Sequence, residues 1–301
     1  MLAVAATCAA FITSSQLSEA QTLGAAGDYN YFVFGNVNMS NSDVEGRAAV
    51  GGNATYQNYG VGNKLNGATA GDSLVVGGNL NYNNGQVFQG DVVYGGTASL
   101  NSATVQNGTA SKGSVIDFGS AQSYLTGLSG SIGGLSANGS YLNYYGGLQF
   151  VGTDLALNTF YVGANDFNAA HGIVIDAPAN STVVINIGGQ NVNFDNLGIS
   201  FVDKNNDGSG ITDRGHVLYN FYEATNLSIG GISVQGSILA PLADVNFSNG
   251  NVEGTLVSKT LTGSGEFHYY GFQGEVKVVP EPSSMLLLGI AALGLVGIRR
   301  R

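Results

Sequence analysis

An apolar run closed by Gly-Gly recurs at Val50-Gly51-Gly52-Asn53, at Val75-Val76-Gly77-Gly78-Asn79 and at Val92-Val93-Tyr94-Gly95-Gly96, the last two 18 residues apart. A second signature, Val44-Glu45-Gly46, returns as Val234-Gln235-Gly236 and Val252-Glu253-Gly254, again with 18 residues between the last two. Self-similarity at a fixed period means that one structural unit is being repeated. A unit of this length holds three short strands and three corners, with the valine inward, the Glu or Gln outward and the glycine at the bend. The sequence therefore predicts a mainly β fold, a right-handed β-solenoid. Independent hairpins in a sandwich would also use glycine corners, but the equal spacing near both ends favours the solenoid.

Composition supports many corners and little helix. Glycine supplies 47 of 301 residues, and glycine and asparagine suit positive-φ corners far better than helix interiors. One segment departs from this. Phe118, Ala121, Leu125, Leu128, Ile132 and Leu135 follow a three-four alternation after Asp117, which predicts an amphipathic helix near 117–136 with Asp117 as its N-cap. Its expected role is to cover a flank or an open end of the solenoid, since an uncovered β end invites aggregation. Ser181 to Ile187 reads as a strand with Val183, Ile185 and Ile187 on one face.

The two ends read as addresses. Leu2 to Ile12 is an apolar stretch and Ser18-Glu19-Ala20 ends in a small-x-small pattern, so 1–20 is expected to be a signal segment, helical and cut by signal peptidase after Ala20. The usual basic residues before the apolar stretch are missing, so the true start is expected upstream of this methionine. Residues 279–301 combine Val279-Pro280-Glu281-Pro282, an uncharged run from Met285 to Ile298, and Arg299-Arg300-Arg301. Prolines either side of Glu281 keep the tetrapeptide extended and open to an enzyme. The run gives roughly 21 Å of helix against a hydrocarbon core of about 30 Å, so flanking residues must complete the span, with the arginines on the cytoplasmic side. This order of parts resembles the PEP-CTERM sorting signal, which implies an exosortase as partner, membrane anchoring through the C-terminal transmembrane helix before processing, and then a place at the cell surface or in the extracellular matrix.

Between the addresses, 21–278 contains no cysteine and carries 7 Lys and Arg against 18 Asp and Glu. Packing and backbone hydrogen bonds must hold it without disulfides, and a surface this acidic argues against nucleic-acid partners. Gly24-Ala25-Ala26-Gly27-Asp28-Tyr29-Asn30 with Val33-Phe34-Gly35 at the front, and Leu218 to Thr225, Gly236 to Pro241, Gly250 to Leu256 and Gly265 to His268 at the back, resemble the choice-of-anchor A domain family. That resemblance implies a non-enzymatic exported surface or matrix protein, adhesive or structural in function, with no catalytic residues to carry over.

Four constellations could carry chemistry. Gly71-Asp72-Ser73-Leu74, Gly163-Ala164-Asn165-Asp166 and Asp213-Arg214-Gly215-His216 match the blocks of GDSL-type esterases, with Ser73 as nucleophile, His216 as base, Asp213 orienting it and Asn165 on the oxyanion. Those enzymes are α/β, however, and Leu74-Val75-Val76-Gly77 continues as a β run. Asp203, Asn205, Asp207 and Ser209 match the first half of a calcium loop, with Asp213 adjoining the place of its missing final glutamate; an exposed acidic turn is the competing reading. His171, His216 and His268 lack ligand spacing in sequence and read as ordinary strand or loop residues. The tyrosines, Tyr144-Tyr145 and Tyr269-Tyr270 among them, could stack on sugars of an extracellular polysaccharide or a neighbouring cell surface, or simply pack in strands.

Overall fold

Broken alternation shapes each rung. In the strand Val37–Val44 the side chains of Val37, Met39 and Val44 are buried, and the pattern changes phase at Asn41, whose φ of 56° turns the chain through a corner. Asparagine visits this left-handed region at small cost because its short amide bonds locally. Asn58, Asn84, Ser102 and Asn249 repeat the turn with φ between 51° and 57°. The computed structural model describes residues 20–202, 210–211 and 213–277, and residues 21–276 form one unit in it. Each rung has three short strands, which lie on faces termed here A, B and C.

The Gly-Gly signature is the corner between faces A and B. A Cβ on Gly51, Gly77 or Gly95 would lie inside 3 Å of the carbonyl oxygen of Phe34, Gly51 or Gly77 respectively, one rung away. Glycine is required there for close approach of backbones. The asparagine that follows ties the rungs together: Asn36, Asn53 and Asn79 each accept, through Oδ1, the backbone N–H of Asn53, Asn79 and Thr97 at 2.9, 2.8 and 2.8 Å. The Val-Glu/Gln-Gly signature is the corner between C and A. Val234 pairs with Val252, Val252 with Phe267, and Phe267 with Val44, and all four side chains are buried.

Parallel pairing builds face A from ten strands in the spatial order 157–163, 182–188, 217–220, 237–240, 256–258, 31–33, 48–50, 72–76, 91–94 and 110–112. The chain therefore starts in the middle of its own stack, climbs to one end by residue 112, crosses to the other end, and climbs back until Leu256–Ser258 pairs with Tyr31–Val33. Rung periods from Tyr31 are 17, 26 and then 18 residues. The long rung carries the excursion 62–71, held by Arg47, which donates to the carbonyls of Ala70 and Thr69 at 2.8 and 2.9 Å. The strand expected over Ser181 to Ile187 is Thr182–Gly188, with Val183, Ile185 and Ile187 buried. Beside the stack, Gly147–Val151 pairs in parallel with Gly172–Asp176, and that strand with Gly198–Phe201; the hairpin of Ser140–Tyr144 with Gly147–Val151 is antiparallel.

The amphipathic helix forms at Phe118–Gly133, and the carboxylate of Asp117 accepts the N–H of Ser120 as the N-cap. It covers a flank of the stack. Phe118 packs against Phe32, and further along Ser129 and Ile132 meet Asn220 and Asn186. A helix of 16 residues is about 24 Å long, and five strands at about 4.8 Å span the same distance. The outward side chains of face A (Phe32, Val184, Leu218, Leu239, Val257) are consequently buried, which makes a second apolar layer outside the coil.

Inside the coil, tyrosine does much of the packing. Tyr31, Tyr56, Tyr59, Tyr82 and Tyr219 are buried, and Tyr31 Oη and Tyr56 Oη share a hydrogen bond of 2.8 Å. Burial raises all five phenols well above their ordinary 10.0 and lifts that of Tyr29 to about 12. The folded chain thus keeps protons that the unfolded chain releases. Stability is fully present below pH 10 and is lost above it, by about 1.4 kcal/mol per pH unit for each such tyrosine. Urea unfolding between pH 8 and pH 11 should show a flat limb and then a steep fall; a flat limb throughout would contradict the buried cluster.

Candidate functional site

Face B is a long side of the stack whose outward residues reach solvent, unlike face A, whose outward residues are buried beneath the helix 118–133. Eight strands form it, in the order 191–195, 226–230, 244–248, 260–263, 37–40, 54–57, 80–83 and 98–101. Along seven of the eight strands an inward residue (Val192, Leu227, Val245, Leu261, Val37, Ala54, Leu80) is buried in the coil, while on the end strand 98–101 the matching Ala98 is exposed. The next residue must point outward. Register places Asn193, Ser228, Asn246, Thr262, Asn38, Thr55, Asn81 and Ser99 in one outward column. Every rung contributes a short uncharged hydrogen-bonding side chain, spaced by the strand separation of about 4.8 Å.

A flanking column runs Asn191, Asn226, Asp244, Thr260, Asn36, Asn53, Asn79, Thr97, and its members hold one another. Asn226 Nδ2 donates to Asn191 Oδ1 at 2.9 Å and Thr260 Oγ1 to Asp244 Oδ1 at 2.8 Å. Lys259 Nζ lies 3.0 Å from the other oxygen of Asp244, and these partners, Thr260 first, hold that carboxyl below the usual carboxylate range. The single acidic group in this column is therefore neutralised. Between the columns on the C-terminal rungs lies a shallow hollow of about 430 Å³ lined by Asn193, Asn226, Ser228, Asn246 and Thr262. Among the described residues the side chains of Asn38, Thr55 and Asn246 make no hydrogen bond to the protein, and so their donors and acceptors face outward unspent. Such an array offers repeated polar contacts at a fixed pitch. It contains no nucleophile paired with a base.

The esterase constellation is not assembled. Ser73 is buried and its hydroxyl donates to the carbonyl of Gln89. Asn165 starts the short helix Ala164–Asn168 after the strand 157–163, seven strand positions along face A from Ser73, or roughly 34 Å. Asp213 accepts the N–H of Gly215 at 2.8 Å and stands 3.4 Å from His216 Nδ1, beside the strand 217–220 and five positions from Ser73. The sequence match was carried by residues that the stack keeps apart. Of the calcium set, Asp213 is thus already engaged, while Asp203, Asn205, Asp207 and Ser209 lie outside the described residues, as do the signal segment before Ala20, Val279 to Pro282 and Arg299 to Arg301. No helix among the described residues is long and apolar enough to cross a membrane.

The tyrosines divide. Tyr31, Tyr56, Tyr59, Tyr82 and Tyr219 pack the coil, but Tyr144, Tyr145, Tyr269 and Tyr270 are exposed, which leaves the two pairs singled out in the sequence at the surface. Among the described residues the His171 ring bonds the carbonyl of Tyr145, at 2.8 Å. His268 is different: it sits among Glu45, Glu253 and Glu266, a grouping that sequence reasoning missed because Glu45 is remote in the chain and no local spacing announces it.

The fold and face define a stacked-rung β protein that presents an ordered flat surface. Residues 22–269 match the family described as "Putative Ice-binding-like adhesive domain", and the chain belongs to that family. Residues 278–301 match the PEP-CTERM protein-sorting motif, so the protein is exported and surface-associated, and its motif implies processing by an exosortase. The choice-of-anchor A resemblance gains nothing from these matches. Among solved structures, the chain is similar to the DUF3494 domain of an ice-binding protein of Shewanella frigidimarina, at 13% identity and TM-score 0.39, over 83% of this chain and 98% of the other. It is also similar to an ice-binding protein from the Antarctic ascomycete Antarctomyces psychrotrophicus, at 12% identity and TM-score 0.36, over 85% and 100% of the two chains. No curated protein matches it.

Proposed function

We propose that this protein is a non-enzymatic adhesin or matrix component, wound as a right-handed coil, that holds a repetitive hydroxyl-bearing surface through face B. The observation that carries the reading is the outward column of eight short polar side chains from Asn193 to Ser99, one per rung. The backbone fixes the pitch of the ladder before binding, and its short side chains have little rotamer freedom to lose at each contact; an extracellular polysaccharide is the partner class that supplies periodic hydroxyls at the cell surface. Delivery follows from the ends: signal peptidase cuts after Ala20, the tail 279–301 tethers the chain through its apolar run with Arg299 to Arg301 inside, and exosortase acts at Val279–Pro282.

The test is a face-blocking variant. Asn38→Tyr with Thr55→Tyr and Thr262→Tyr leaves the inward residues untouched and roughens the ladder. Cells producing it should show attachment or aggregation reduced at least tenfold against cells producing the native protein, with equal amounts exported. Unchanged attachment would sink the assignment to face B.

A further inference from the structure

The two halves of the stack meet at a seam, and on face C that seam is thin. Phe267 pairs with Val44 at a single position, whereas Ser42, Asp43 and Val44 all pair with the next rung. Three side chains converge over this junction. Glu45 follows the first rung, and Glu266 and His268 come from the last; one donor atom from each lies within 4.8 Å of the other two. His268 Nε2 is 3.3 Å from Glu266 Oε1, which is roughly the edge of a tetrahedron drawn with zinc-ligand bonds of about 2.05 Å.

The other ring nitrogen of His268 is already committed. Nδ1 lies 2.6 Å from Oε1 of Glu253, a carboxylate only 6% exposed. Arg214 Nη1 stands 2.9 Å from the second oxygen of Glu253, and Asn251 donates to the first at 2.7 Å. A buried carboxylate fixed in this way holds the Nδ1 side of the ring and leaves Nε2 facing Glu266. Metal-binding imidazoles are oriented by carboxylates in the same manner. Among the described residues Glu45 accepts the N–H of Tyr269 through Oε2 at 2.9 Å, and Lys64 stands 3.9 Å from its Oε1 with a largely exposed side chain, so the lysine can yield its place.

We propose that Glu45, Glu266 and His268 bind one divalent transition-metal ion of the zinc class, which pins the last rung to the first. An imidazole with two carboxylates suits zinc; calcium and magnesium prefer all-oxygen shells. Glu266 also lines a face-C hollow of about 650 Å³ together with Asp43, Gln86 and Phe88.

Isothermal titration of the purified protein with zinc chloride should show one saturable site per chain, and zinc should raise the thermal unfolding midpoint. His268→Ala should weaken binding at least a hundredfold and Glu266→Gln at least tenfold, with the zinc-dependent rise in the midpoint lost. Because His268→Ala also deprives Glu253 of a partner, Glu45→Gln serves as the second variant; it should fold like the native chain by circular dichroism and still bind at least tenfold more weakly. Absence of saturable binding, binding that survives both His268→Ala and Glu45→Gln, or tighter binding of calcium than of zinc at these residues would overturn the proposal.

Discussion

Replacing Gly77 by alanine should cost about 3 kcal/mol or more, enough to threaten the fold at physiological temperature. The added methyl would lie inside 3 Å of the Gly51 carbonyl in the adjacent rung, and that oxygen belongs to the backbone. It can move only if the rungs separate. Separation would also stretch the Asn53 to Asn79 link of 2.8 Å on the same corner. Gly127→Ala is the matched control. Gly127 is exposed on the flanking helix, and a methyl there meets nothing within 4 Å; the change should stabilise by up to about 1 kcal/mol through helix propensity. Chemical denaturation of the two variants reads both effects, and equal stabilities would refute the close-stacking explanation of the Gly-Gly corner.

The second large effect should come from Asn220. Its side chain is buried and bridges the stack to the helix: Oδ1 accepts from Ser129 Oγ at 2.6 Å, and Nδ2 donates to Ser129 O at 2.9 Å and to Asn186 Oδ1 at 2.8 Å. Asn186 continues the chain by donating to the carbonyl of Ile132 at 3.2 Å. Asn220→Leu leaves the Ser129 hydroxyl and the Asn186 amide buried without these partners, a loss of about 3 kcal/mol. Hydrogen exchange should quicken over 118–133 before it does so in the coil. Uniformly quickened exchange would mean that the helix is not a separately docked layer.

Much of this fold was legible because its corners use residues that nothing else replaces. Gly51, Gly77 and Gly95 are glycines for backbone clearance, Val44, Val234 and Val252 for one inward position, and each leaves a mark in the sequence at the rung period. The helix was equally plain, since Asp117 and the Ala121-Leu125-Leu128-Ile132 stripe obey local rules. What stayed hidden depends on how rungs are ordered. Nothing in Tyr31–Val33 or Leu256–Ser258 says that they are neighbours, so the start in the middle of the stack could not be read. For the same reason Glu45 and His268 looked unrelated, and Ser73 and His216 looked related. Asn38, Thr55, Asn81 and Thr262 carry no motif of their own in the sequence; only the parallel register shows that they share a column.

That column can be tested in isolation from export and cell physiology. Purified protein should be titrated against extracted exopolysaccharide in three forms: native, Asn38→Tyr with Thr55→Tyr on face B, and Thr104→Tyr on face C, where Thr104 is likewise exposed. Native protein and the face-C variant should bind alike, and the face-B variant at least tenfold more weakly. Equal binding by all three forms, or a loss confined to the face-C variant, would contradict adhesion through face B.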